Sequence, residues 1–206
     1  MITSTATFGR DLEDIDQVLA DPMELLGLWL PHPDSELRPL MTLSTIDPEG
    51  YPNSRNVLLS AFDGSGLYFH TDARSRKAAD LELNPRVSLV LVWPEVGRQI
   101  SVQGTVEQTS SAEAAAVFTA RSRYLQLLAW ANDVTIAQLS HEERRNRWAA
   151  FGDTHPVETL EAPPTWVGYR VVPRRVTFWR GDPEGPSNRI EYRRDGAAWT
   201  SAKLPG

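Results

Sequence analysis

The chain contains no cysteine. Disulfides, thiolate nucleophiles and cysteine-type zinc sites are therefore excluded, and the composition is compatible with a reducing cytoplasm. Histidine is scarce too. The four histidines, His32, His70, His141 and His155, are scattered without metal-ligand spacing, so no metal site is expected. Positive charge is in deficit, with 21 Lys and Arg against 27 Asp and Glu, a net charge of −6. That balance argues against generic nucleic-acid binding, and any bound phosphate must be held by a local basic pocket. No apolar run approaches membrane-spanning length. The N-terminus, M-I-T-S-T-A-T-F-G-R-D-L-E-D, lacks the basic start and apolar core of a secretory signal. The expected setting is the cytoplasm, with neither membrane nor nucleic acid as partner. Also missing are G-x-G-x-x-G, a Walker loop, G-x-S-x-G and H-E-x-x-H. Without these or an acid–base cluster, catalytic residues cannot be named, and chemistry falls to an organic cofactor.

What is present fits a soluble globular protein. Hydrophobic residues make up 41% and charged residues 23% of 206 positions, enough for a substantial core. The expected division is a tail over residues 1–20, with a short helix around Leu12 to Leu19, and a single domain over residues 21–206. Asp21-Pro22-Met23-Glu24 predicts a capped helix to about Leu30, stopped by Pro31 to Pro33. Met41 to Ile46, Tyr51 to Ser60 and Leu67 to Thr71 alternate as strands joined by short turns, which predicts an antiparallel meander. A helix follows from about Ser75 to Leu83. Val87 to Trp93 is apolar on nearly every residue and reads as a strand buried on both faces. Arg98 to Gln108 alternates, with Gln99, Ser101, Gln103 and Thr105 on a polar face.

Capping boxes at Ser110 to Glu113 and Ser140 to Glu143 open helices to about Ala120 and Phe151, with another helix over Tyr124 to Ala131. Residues 153–165 read as a loop. Strands at Trp166 to Val172, Val176 to Arg180, Ile190 to Arg194 and Ala198 to Leu204 close the chain, the last two joined by an Asp195-Gly196 turn. About eight strands in hairpins with helices inserted between them predict a mainly β fold, a barrel with helical insertions.

The helix after Ser75 begins with a conflict. Arg76 and Lys77 occupy its first turn, where the macrodipole is already positive, and cations there cost roughly a few tenths of a kcal/mol. A phosphate resolves the conflict by accepting from backbone N–H groups and both side chains. Arg55, on the preceding strand, offers a third cation. The alternative is a solvated basic turn flanked by Asp72 and Asp80. His70 precedes this helix, as a ligand contact or as a satisfied strand-end histidine. Trp179 precedes the Gly- and Pro-rich segment Arg180 to Asn188, where it shields a ring system or packs under the loop.

Several separated motifs together resemble one family. R-x-V-L-L (Arg55 to Leu59), F-H-T (Phe69 to Thr71), S-R-K-A (Ser75 to Ala78), N-P-R-V-S-L (Asn84 to Leu89), Arg98-Gln99, Gly104 and F-W-x-G (Phe178 to Gly181) match the pyridoxamine 5′-phosphate oxidase family in order and spacing. The resemblance implies an FMN-binding split β-barrel homodimer that oxidises pyridoxine or pyridoxamine 5′-phosphate to pyridoxal 5′-phosphate with O2. It also implies that Arg55, Asn56, Val57 and Leu58 lie along FMN, with His70 and Thr71 following where the family commonly has Tyr-Thr. Arg76 and Lys77 would hold the FMN phosphate and Gln99 would reach the flavin. Trp179 and Arg189 would enter from the partner chain.

Some positions depart from the family. Its Gln-Ser pair for FMN falls on Val134 and Thr135. On the substrate side its lysine is Ser60, its Tyr, Arg and Ser for the substrate phosphate are Val117, Arg121 and Leu125, and its R-L-H motif falls on Gly185, Pro186 and Ser187. Ser60 and Arg121 are thus the substrate-side candidates, and an altered small-molecule substrate is expected. Two other readings use the same barrel: a deazaflavin (F420) reductase, and a flavin-binding protein without enzymatic activity.

Overall fold

The computed structural model describes residues 19–30, 39–155 and 160–205. The N-terminal tail expected over residues 1–20 lies outside them apart from Leu19 and Ala20, as do the helix stop at Pro31 to Pro33 with His32 and part of the expected 153–165 loop. Among the described residues there are nine strands and six α-helices. The strands are β1 (Leu40–Ile46), β2 (Pro52–Leu58), β3 (Ala61–Asp63), β4 (Gly66–Asp72), β5 (Arg86–Trp93), β6 (Arg98–Gln108), β7 (Trp166–Arg180), β8 (Asn188–Asp195) and β9 (Ala198–Leu204). The helices are α1 (Pro22–Trp29), α2 (Arg76–Leu83), α3 (Ser111–Thr119), α4 (Arg123–Trp130), α5 (Val134–Ala137) and α6 (His141–Thr154). None is long and apolar enough to cross a membrane.

Local sequence explains the helix starts. Asp21 caps α1 by accepting from the Met23 N–H at 2.8 Å, with Pro22 in the first turn. Both expected capping boxes are formed, Ser110 with Glu113 and Ser140 with Glu143. The short α5 was not expected. Its signal is Asp133, whose carboxylate accepts from the Ile136 N–H at 2.9 Å.

All nine strands join one sheet in the order β2-β1-β5-β6-β7-β4-β3, with β8 on β7 and β9 on β8. The expected three-strand meander is therefore two hairpins, β1–β2 and β3–β4, at opposite ends of that order. The switch occurs within two residues. The Leu59 N–H still bonds to Pro39, beside β1, whereas the Ser60 N–H bonds to Tyr68 on β4. The backbone thus passes from one end of the sheet order to the other without a turn, and no periodicity in the side chains marks the crossing. Val87 to Trp93 was expected to be buried on both faces. In the structure β5 alternates, with Val87, Leu89 and Leu91 buried and Val92 53% exposed. The two strands expected on either side of Pro173 are one continuous β7. Pro173 lacks an N–H but is tolerated because pairing with β8 begins beyond it, at Arg175.

Contacts divide the described residues into two compact units. The first comprises residues through Phe69, Asp80–Glu107 and the chain from Arg170 onward. Its core is built from alternate strand residues such as Met41, Leu43, Leu67, Phe69, Leu89, Ile100, Val102 and Val171. A Cβ on Gly104 would lie 2.3 Å from the Val172 carbonyl, so close strand approach requires glycine there. The second unit comprises His70–Ala79 and Gln108–Tyr169. It packs around Ala114, Phe118 and Trp166, with Ala129, Trp130, Leu160 and Ala162 against them.

Candidate functional site

Within the second unit a cavity of about 300 Å³ gathers several of the expected residues. The end of β4 contributes His70, Thr71 and Asp72, and the start of α2 contributes Ser75 and Lys77. Arg121 joins from the turn between α3 and α4, then Leu125, Leu128 and Ala129 from α4, followed by Asn132 and Trp166.

The α2 side of this wall is polar and cross-linked. Lys77 Nζ donates to Thr71 Oγ1 at 3.0 Å, and Thr71 Oγ1 lies 3.4 Å from Ser75 Oγ. The turn between is held from both directions. The Ala73 N–H donates to the Thr165 carbonyl at 2.7 Å, and Thr165 Oγ1 donates to Asp72 Oδ2 at 3.2 Å. Arg74 also clasps Asp72, at 2.6 Å. Burial opposes ionisation of Asp72, but its hydrogen bonds and the Arg74 charge outweigh burial and hold the carboxyl below its ordinary range. Arg76, the other cation of the expected pair, is exposed and not part of this wall.

The opposite side is aromatic. The His70 ring stacks on Trp166 at 5.6 Å between centroids and 16° between planes. The Arg121 guanidinium lies 4.6 Å from the centroid of the same indole. Trp166 is itself fixed by donating Nε1–H to the Ala114 carbonyl at 3.0 Å and by an edge contact with Phe118. Burial, aided by the Arg121 charge, pushes the His70 pKa down to about 4, so the ring is neutral at pH 7. Space for the ring depends on Gly168, where a Cβ would stand 2.7 Å from His70 Nε2 and 2.4 Å from Thr109 Oγ1. Burial also lowers the Arg121 pKa, though a guanidinium stays charged. Among the described residues no carboxylate and no hydrogen-bond acceptor is paired with the Arg121 guanidinium, which rests on Trp166.

A smaller cavity of about 220 Å³ lies between Asp72, Arg74 and Ser75 and the loop Asn132 to Thr135. Val134 and Thr135, at the positions of the family's Gln-Ser pair, are on its wall. Val134 is 73% exposed, an apolar side chain that no described residue covers.

The remaining expected residues lie in the first unit. Arg55 donates to Thr45 Oγ1 at 2.7 Å and pairs with Asp80 Oδ2 at 3.3 Å. Thr45 donates to the same Asp80 oxygen at 2.5 Å, and Asp80 is 1% exposed. Asn56 accepts from Thr42 at 3.0 Å, Val57 is buried, and Leu58 and Ser60 are half-buried. Gln99 stands half-buried on β6. Trp179 and Arg189 face each other as register partners on β7 and β8, so Trp179 continues the strand instead of ending it.

Sequence reasoning missed Trp166 and the α4 residues Leu128 and Ala129 of the large cavity, and named Asp72 only as a flank of the basic turn and Leu125 only at a family substrate position. Trp166 carried a faint signal as an aromatic placed where a proline-rich loop returns to strand. The α4 residues carried none, because an amphipathic helix does not reveal what its apolar face covers.

Comparison with known proteins agrees with this architecture. Residues 35–179 match the family model for pyridoxamine 5′-phosphate oxidase, and residues 166–204 match that for the pyridoxine 5′-phosphate oxidase C-terminal dimerisation region. The pyridoxine/pyridoxamine 5′-phosphate oxidase of Rubrobacter xylanophilus is 37% identical over 190 residues, covering 89% of this chain and 86% of that protein. The enzyme of that name from Bordetella avium is 38% identical over 196 residues, covering 91% and 90%. Among solved structures, PhzG from Burkholderia lata in complex with tetrahydrophenazine-1-carboxylic acid superposes with a TM-score of 0.84. That match is at 26% identity and covers 97% of this chain and all of the other. With the mainly β split-barrel fold and its helical insertions, these matches place the chain in the pyridoxamine 5′-phosphate oxidase family.

Proposed function

We propose that this protein is a homodimeric, FMN-dependent oxidase of the pyridoxamine 5′-phosphate oxidase type, acting on a substrate other than the phosphorylated vitamer. The observation that carries the cofactor reading is the polar wall at the start of α2. Lys77, Thr71 and Ser75 form a cation and two hydroxyls converging on one cavity, a donor set that suits a phosphate. When bound, FMN supplies hydride acceptance from the substrate and electron transfer to O2.

The chain's own residues bind and orient. Lys77 and Thr71 hold the flavin phosphate, with Arg76 as an outer cation. By the family resemblance, Arg55, Asn56, Val57 and Leu58, together with His70 and Gln99, would line the flavin. Trp179 and Arg189 complete the pocket from the second subunit. Residues 21–206 act as one flavin-binding domain in this reading, and the match of residues 166–204 to a dimerisation region supports a two-fold partner.

The substrate reading rests on what surrounds Arg121. The matched positions offer Ser60, Val117 and Leu125, so a phosphate dianion would find one guanidinium where the family supplies a lysine and two hydroxyls besides. The visible spectrum of the purified protein tests the cofactor, followed by release of the chromophore and its mass. A colourless protein that takes up no FMN on titration overturns the reading.

A further inference from the structure

Arg121 is a half-buried charge that meets no counter-charge among the described residues. Its guanidinium rests on the Trp166 indole at 4.6 Å, and among the described residues neither an acid nor a hydrogen-bond acceptor meets it. A cation–π contact returns only part of what desolvation of a guanidinium removes. An arginine drawn from solvent onto a cavity wall is ordinarily paired, so one that meets no acid among the described residues suits a ligand's anionic group.

The neighbours define which anion. His70, on the same indole, is neutral at pH 7 and adds no charge. Lys77 is bonded to Thr71 on the far wall and serves the flavin phosphate in the reading above. Asp72, ionised and held by Arg74, also lines the cavity and opposes a second negative charge. One guanidinium thus remains for the substrate, which matches a monoanion. The cavity's hydroxyls, Thr71 and Ser75, belong to the α2 wall that serves the flavin phosphate in the reading above, and Trp166, Leu125, Leu128 and Ala129 give the rest of the lining an apolar surface.

We infer that this cavity takes a planar aromatic or cyclic carboxylate, its carboxylate on Arg121 and its ring against Trp166 and Leu125. A guanidinium meets a carboxylate in a two-pronged geometry that a single arginine satisfies fully. The inference rests on the oxidase reading for the role of Lys77, and the test below separates the two.

The FMN-loaded protein is titrated calorimetrically with three probes sharing one body: 1-naphthoate, 1-naphthyl phosphate and 1-naphthamide. The carboxylate is expected to bind at least about tenfold more tightly than either of the others, the effect of one charge-assisted pairing. Arg121→Gln should remove that advantage, leave 1-naphthamide unchanged and retain bound flavin, and Arg121→Lys should restore part of it. Equal or tighter binding of the phosphate overturns the inference. So does naphthoate affinity indifferent to Arg121→Gln, or no naphthoate binding at millimolar concentration. Flavin content is measured on the same samples. Protein without flavin that still holds naphthoate through Arg121 overturns the oxidase reading alone, whereas flavin-loaded protein with Arg121-independent binding overturns this inference alone.

Discussion

The guanidinium of Arg121 lies 4.6 Å over the indole of Trp166, the same ring on which His70 stacks at 5.6 Å. A cation and a neutral imidazole therefore share one aromatic support. Protonating His70 would place a second cation beside the first in a half-buried site.

This arrangement makes stability depend on pH through His70. Burial and then Arg121 depress its folded-state pKa from 6.5 to about 4. Between those values the unfolded chain binds the proton and the folded one does not, so stability is full above about pH 6.5 and is lost as pH falls toward 4. The loss is at most on the order of 3 kcal/mol, and nearer 1–2 once partial exposure screens it. Denaturant unfolding of wild type and His70→Phe from pH 7.5 to 4.5 should show the wild type losing this much more than the variant. Parallel profiles would show that His70 does not titrate abnormally.

Asp80 is a buried charge whose counter-charge is present. Thr45 and Arg55 both bond to Oδ2, at 2.5 and 3.3 Å. Asp80→Ala leaves the Arg55 guanidinium without its acid, and breaking such a pair costs about 3–5 kcal/mol. Arg55→Met combined with Asp80→Leu removes both charges and should recover most of that loss. If the double variant is as unstable as the sum of the single changes, the two side chains are not energetically coupled.

Lys77 and Arg76 are adjacent in sequence but differ in surroundings. Lys77 is on the cavity wall and bonded to Thr71 at 3.0 Å, whereas Arg76 is exposed. One charge-assisted hydrogen bond is worth about 1.5–3 kcal/mol. Lys77→Ala should therefore weaken FMN about ten- to a hundredfold, and Arg76→Ala less than about threefold because solvent screens its charge. Riboflavin, which lacks the phosphate, should bind both variants as it binds wild type. An equal loss for riboflavin would mean that Lys77 supports the pocket's shape and not the phosphate.

The same contrast shows what a sequence reveals. Asp21, Ser110 and Ser140 announced their helices because a cap is a contact between residues two or three apart. Arg76 and Lys77 raised the expectation of an anion site through a local electrostatic conflict, but their division into wall and surface depends on where α2 lies. The Arg55–Asp80 pair spans 25 residues and the His70–Trp166 stack spans 96, and nothing in either neighbourhood anticipates them. The strand crossing at Leu59 and Ser60 was hidden because a strand that changes partners keeps its two-residue period. Family motifs supplied the flavin assignment. That the Arg121 guanidinium meets no acid among the described residues was visible only in three dimensions.

That unpaired arginine sets the expectation for catalysis. A phosphorylated vitamer presents a dianion with three acceptor oxygens. The chain offers Arg121 with Leu125 on the same wall, Val117 off it and Ser60 where the family has lysine. Losing a cation and two hydroxyl donors removes about three polar or charge-assisted bonds, several kcal/mol in all. Asp72 on the cavity wall adds repulsion. Gly185, Pro186 and Ser187 hold neither the arginine nor the histidine of the family's R-L-H motif, so ring placement suffers as well as phosphate binding. Lost binding energy of this kind appears in kcat/KM, where each 1.4 kcal/mol is about tenfold. Steady-state oxidation of pyridoxine and pyridoxamine 5′-phosphate by the FMN-loaded protein should therefore give kcat/KM below about 10⁴ M⁻¹s⁻¹, the low end for ordinary enzymes. Changing Val117 to Tyr and Leu125 to Ser together should raise it, since both hydroxyls would return at the family's positions. A wild-type value above that limit, unchanged in the double variant, would mean that the vitamer phosphate is held without the two hydroxyls, by residues not named above.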